Sequence, residues 1–321
     1  MALLREPLTT EIEDTCEYGV VNFVCEDLPR HGLLLVPPSS QDYDTLLADI
    51  QRRANAPVEG SPPFPERFRP RMIPEDRPTS AILLNRSTKA IVGLQAVWRF
   101  ETETGRSFRH SSRMLSTMVL IPFNRRDESA MKLYAYWNTI LPGSKRYLGE
   151  SGMVGDNTDV RPPAHDEGWR GGMSGGRGGG GTSSREPIRQ VTLALDGVFF
   201  LDGEFVGPDG EKMFEQTVAD AEAYRIVARI AKDGHSRGLS PAEILTQIEK
   251  VTGVAPERAP MPRNFRNAAA ADEDLRAAAL QTIAYQLGMR RRFPEGSSDE
   301  QTIHSIISWN DVILPNFRKA A

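Results

Sequence analysis

The sequence predicts an α+β chain: an antiparallel β-sandwich over residues 80–210, a strand–helix extension before it and a helical region after it. Three observations carry this prediction. Between Val92 and Phe100 every second residue (Val92, Leu94, Ala96, Trp98, Phe100) is apolar, the period-two pattern of a strand with one buried face. Asp196-Gly197 and Asp202-Gly203 punctuate a β-prone run and supply the positive φ that tight hairpins need. From Met213 the apolar spacing turns helical, through Phe214, Val218, Ala221, Val227 and Ile230.

The remaining elements follow in chain order. Residues 1–30 are acidic and irregular, with one apolar run from Val20 to Val24. Leu33 to Val36 reads as a buried strand stopped by Pro37 and Pro38. A helix capped by Ser39 or Ser40 then carries Tyr43, Leu46, Leu47 and Ile50 on one face. Seven prolines between 57 and 78 exclude a helix and predict an extended connector. A turn at Asn85–Lys89 joins two β-prone runs, and Met114–Phe123 and Lys132–Leu141 are further candidate strands. Residues 149–187 read as a Gly-rich loop too poor in apolar side chains to order itself. Past Met213, Ser240-Pro241-Ala242-Glu243 is a capping box with proline at the first helical position. A third helix is predicted from about Ala269 to Met289, and Ser298 caps a fourth. The domain boundaries implied are 1–79, 80–210 and 211–321.

Composition narrows the function classes. The net charge of −4 supplies no overall basic field for nucleic acid or acidic membranes. No run approaches the roughly 20 apolar residues that span a bilayer. The start, MALLREPLTT, lacks an apolar core, so the chain is expected in the cytoplasm. There Cys16 and Cys25 are reduced thiols, although the β-prone segment between them would also allow a bridge across paired strands.

Two segments carry a resemblance. NRSTKAIVGLQAVWRF is similar to the Asn-Ser-rich turn and strand that open an immunoglobulin-like sandwich in a set of bacterial proteins. LDGVFFLDGEFVGPDG resembles the hairpin that precedes their helical tail. The resemblance implies an immunoglobulin-like sandwich with a helical C-terminus over about residues 80–235, and no activity, cofactor or functional residue.

Chemistry-bearing residues are dispersed. Between Glu103 and Asp127 lie Arg106, Arg109, Arg113, Arg125 and Arg126 with no acid among them, a strip suited to phosphate or an acidic partner. Arg170 and Arg177 sit in Arg-Gly-Gly units of the kind that contact RNA in longer arrays. Solvated arginines on a sandwich face and a plain flexible loop are the favoured readings of the two. His165-Asp166-Glu167 are adjacent and point apart, so no metal site is expected. Asp196, Asp202 and Asp209 miss calcium-loop spacing and read as hairpin-turn residues. Tyr134, Tyr136 and Trp137 read as packing aromatics.

The leading expectation is a non-catalytic binding or structural module without a cofactor. Its partner is taken to be a protein rather than nucleic acid or membrane. Two alternatives stand beside it. One is a hydrolase-like enzyme with its site between sandwich and helices and with His110 or His235 as base. The other is an RNA- or anion-binding protein using Arg106, Arg109, Arg113, Arg170 and Arg177.

Overall fold

The computed structural model describes residues 22–55, 74–115, 139–149, 152–155, 187–253, 275–292, 298–307 and 316–320. They form a mixed α+β protein with antiparallel-rich sheets and five described α-helices. Two compact units result, one from the described residues up to 91, 95–114 and 139–195, the other from 92–94 and 196 onward.

In the first unit, strands β2 (Leu33–Val36), β3 (Ala81–Asn85), β6 (Lys145–Gly149) and β7 (Gly152–Gly155) make an antiparallel sheet in that order. Helix α1 (Tyr43–Asn55) packs on it. Tyr43 and Ile50 are buried with Ile82 and Tyr147, flanked by Leu46 and Leu47, so the predicted helical face is the packed one. The Tyr43 hydroxyl shares a 2.5 Å hydrogen bond with Ser80 Oγ. Asp49, on the same helix, ion-pairs with Lys145 of β6 and with Arg52 and Arg53.

Asn85 organises the predicted turn. Its Nδ2 donates to the carbonyls of Lys89 (2.9 Å), Ile140 (3.0 Å) and Leu141 (3.1 Å). Its Oδ1 accepts from Ser87 N and Oγ. A buried amide at a turn is one of the few side chains that can both donate and accept here.

Two long strands, β4 (Ile91–Thr102) and β8 (Ile188–Phe200), run through both units. With β1 (Asn22–Glu26), β5 (Ser107–Leu115), β9 (Glu204–Val206) and β10 (Arg318–Lys319) they form a sheet ordered β10-β9-β8-β4-β5, with β1 paired to β8. The β1–β8 and β10–β9 pairs are parallel, and as a parallel pair requires their partners are joined by long connections rather than hairpins. Against the expectation of one buried face, β4 is buried at every residue from Ile91 to Trp98; both of its faces are covered. The glycine segment expected to be loop from residue 149 opens with β7, which pairs with β6. Its centre lies outside the described residues. Nor is the proline stretch wholly extended, since Pro74–Thr79 is a 3₁₀ turn, whose few internal hydrogen bonds leave room for Pro78.

The second unit holds helices α2 (Met213–Ser236), α3 (Pro241–Thr252), α4 (Leu275–Arg292) and α5 (Asp299–Ile307). Helix α2 is central and touches the other three. Its buried stripe is mostly small: Ala221, Ala223, Ala228, Ala231 and Gly234, with Val227 and Tyr224. The larger residues read from the sequence as its face, Phe214, Val218 and Ile230, are only half-buried. Small side chains let three helices approach one axis, which large ones would keep apart. Ser240 caps α3 in the predicted box, Ser240 N donating to Glu243 Oε2 at 2.8 Å. Ser298 caps α5, accepting from Gln301 N at 3.2 Å. No helix among the described residues is long and apolar enough to cross a membrane.

Candidate functional site

Strand β5 is terminal among the described strands of its sheet and carries two of the sequence-predicted arginines, Arg109 and Arg113, with Arg106 just before it. Phe108 stacks on Phe100 (ring centroids 4.6 Å apart, 9° between planes) and His110 packs against Trp98 at 5.6 Å. Those even-numbered residues therefore face the β4 aromatics, and alternation puts Ser107, Arg109, Ser111 and Arg113 on the other face. Arg106, in the turn before, and Arg109 are exposed, and Arg113 is half-buried. Phe108 keeps 49% of its surface exposed beside them. Arg125, Arg126, Arg170 and Arg177 lie outside the described residues, as do Cys16, His165-Asp166-Glu167 and the Tyr134–Trp137 cluster. Cys25 is a free, half-buried thiol, pushed up to about 11 by burial and then by Asp27.

The candidate bases are packing residues. His110 lies against Trp98, whose Nε1 donates to Thr79 O at 2.7 Å, and His235 meets His304 edge-on at 5.2 Å. Among the described residues neither ring makes a side-chain hydrogen bond, and no group of three His, Cys, Asp or Glu is placed to hold a metal ion.

Sequence reasoning missed a second constellation, in the loop between β9 and α2. Asp196-Gly197, expected to be a hairpin turn, lies inside the continuous strand β8. A Cβ on Gly197 would sit 2.6 Å from the Phe205 ring, so the glycine serves close packing rather than chain reversal. The buried Asp196 carboxylate instead holds the following loop, accepting from Gly210 N and Glu211 N at 2.8 Å each. Asp202 sits in a hairpin turn as expected, accepting from Glu204 N, and Asp209 opens a turn whose carbonyl accepts from Lys212 N.

Asp209 and Lys212 hold left-handed backbone conformations (φ 60° and 54°) without being glycine, a strained geometry that the surrounding contacts must maintain. Asp209 Oδ1 accepts from Phe214 N at the start of α2. Its Oδ2 lies 2.9 Å from Lys319 Nζ, which also donates to Glu215 at 2.7 Å and rests 5.0 Å from the Phe214 ring centre. Burial and the neighbouring Glu215 carboxyl raise the Asp209 pKa. Burial acts in the same upward sense on Glu215, but the Asp209 carboxyl and the Lys319 ammonium bring it below the usual range. Lys319 is raised by Glu215 and then Asp209. The arrangement is two neighbouring carboxyls under one ammonium. The only signal in the sequence is complementarity between the basic NFRKAA tail and the acidic LDGEFVGPDGE hairpin, separated by about a hundred residues.

No known protein family, curated protein or solved structure matches the chain. The immunoglobulin-like resemblance thus gains no neighbour, and the site residues stand on their own geometry.

Proposed function

We propose that this chain is a non-catalytic binding module whose β-rich part, in the sandwich-like arrangement expected from the sequence, presents β5 to an acidic segment of a partner protein. The observation that carries the reading is the strip Arg106, Ser107, Arg109, Ser111 and Arg113. Ser107, Arg109, Ser111 and Arg113 put cations and hydroxyl donors along one strand face, with Arg106 at its start, while the opposite face stacks on Trp98 and Phe100. Arginine forks suit carboxylates bidentately, and a terminal strand offers backbone groups for strand addition.

One observation favours a second reading. Half-exposed Phe108 beside Arg109 is the stacking-plus-cation pairing that takes single-stranded nucleic acid. Titration of the full chain with polyglutamate and with a single-stranded oligonucleotide separates the two. The protein reading expects polyglutamate to bind with strong salt dependence and Arg106→Glu/Arg109→Glu to abolish binding. Preference for the oligonucleotide overturns it, as does unchanged polyglutamate binding by the double variant.

A further inference from the structure

The C-terminal segment is seated as a ligand would be. Arg318 and Lys319 form β10, a two-residue strand parallel to β9, with Arg318 N donating to Gly203 O and Ala320 N to Phe205 O. Phe317 meets Phe199 edge-on at 5.6 Å and packs with Phe205, Met213 and Phe214. Arg318 reaches Asp202 Oδ2 (3.0 Å) and Glu204 Oε2 (3.3 Å), and Lys319 reaches Asp209 and Glu215. The groove is thus an aromatic floor, an acidic rim and a strand edge, each meeting one feature of an extended aromatic–basic–basic segment.

Three features separate this groove from an ordinary tail anchor. Gly203 has φ 83°, and a Cβ there would lie 1.8 Å from Asn316 O, so the turn is shaped to the incoming backbone. The rim is preset by Asp196, which holds Gly210 and Glu211 without help from the tail. Asp209 is kept buried, in a left-handed backbone conformation, beside Glu215, an arrangement that a nearby cation stabilises. Meanwhile the hold on the tail is light: its ladder is two residues long, and the Arg318 and Lys319 side chains remain 52% and 45% exposed. The Arg318–Asp202 pair, exposed on both sides, contributes little net stability, so the tail's polar hold rests chiefly on Lys319 against the buried Asp209.

We infer that the groove beside β9 is a strand-docking site for an extended aromatic–basic–basic segment of a partner protein, closed in the isolated chain by its own residues 316–320. Recognition is by strand addition, with main-chain bonds to β9 supplying affinity and the aromatic floor and acidic rim supplying specificity. The resident tail competes from the same chain, so a partner's apparent affinity falls by the fraction of time the groove stands open. This site is independent of the β5 strip.

The test uses a fluorescent NFRKAA peptide and the full chain, with binding read by anisotropy. Phe317→Ala/Lys319→Glu releases the resident tail, and Arg318→Glu/Lys319→Glu releases it while leaving Phe317 in place. Both variants are first checked for native circular dichroism. A tail closed about nine-tenths of the time predicts roughly tenfold tighter peptide binding to either variant than to the unaltered chain. Adding Asp209→Asn/Glu215→Gln, or using a NAREAA peptide, should remove binding. Folded tail-released variants that bind no better than the unaltered chain overturn the inference. So does a concentration-dependent dimer of the unaltered chain that the peptide dissolves, because the natural occupant would then be a second copy.

Discussion

At the scale of single residues, the structure depends on polar side chains with no substitute. Asn85 donates to three carbonyls and accepts from Ser87, so Asn85→Ala leaves buried backbone groups unpaired. Orphaning buried partners costs about 1–3 kcal/mol, so chemical denaturation should show a loss of that order. Asn85→Asp should rescue nothing, because a carboxylate cannot donate to the Lys89, Ile140 and Leu141 carbonyls; a fully stable aspartate variant would show that the donor role is unimportant. Asp49 gives a pH-dependent counterpart. Hydrogen bonds from Lys145 and then Arg52 hold its carboxyl far below the usual carboxylate range. Its folded pKa lies below its unfolded one, so its contribution is complete above about pH 4 and disappears as pH falls from there toward the folded value. Unfolding free energy measured from pH 6 downward should therefore fall more steeply for the unaltered chain than for Asp49→Asn; parallel curves would show that the contact contributes nothing.

At the scale of elements, the helical part shows how packing overrides local preference. Gly234 lies within α2, where alanine is favoured by about 1 kcal/mol. A Cβ there would sit 2.7 Å from Ile244 Cγ1 of α3, and overpacking costs about 1–3 kcal/mol. The clash is the larger effect, so Gly234→Ala should destabilise. Trimming the partner should reverse the sign: in an Ile244→Ala background, which removes Cγ1, the same change should be neutral or stabilising in thermal melts. Additive effects of the two substitutions would place the constraint elsewhere. The α2 start at Met213, the capping boxes at Ser240 and Ser298 and the face of α1 were legible in the sequence, because each rests on residues within one or two turns. The buried side of α2 was legible only in part. Of the face read from hydrophobic spacing, Ala221 and Val227 are buried and Phe214, Val218 and Ile230 half-buried, whereas Ala223, Ala228, Ala231 and Gly234 complete the buried stripe.

Across the whole molecule, charge is distributed against its average. The net charge is −4, yet β5 carries a basic strip and the β9–α2 loop an acidic groove. Fields of opposite sign on one chain cancel at long range and act within about 8 Å at physiological salt. Partner choice therefore rests on local complementarity, and both binding reactions proposed above should weaken as salt rises. The two long strands β4 and β8 contribute residues to both units, and β4 is buried on both faces from Ile91 to Trp98.

By itself the sequence determined the α+β class, strands β2, β3 and β4 and most helix starts, because alternation, turn chemistry and capping are set by neighbours in the chain; β5, β6 and β7 were not read as strands. The Arg106–Arg113 strip was legible for the same reason. Tertiary structure alone decided that Asp196-Gly197 continues a strand instead of turning, that α2 buries alanines, and that Lys319 meets Asp209 and Glu215. The physical reason is common to all three. Each depends on what approaches from far along the chain: the Phe205 ring over Gly197, three helices around α2, and a C-terminal strand whose backbone passes close enough to Gly203 to exclude a methyl group.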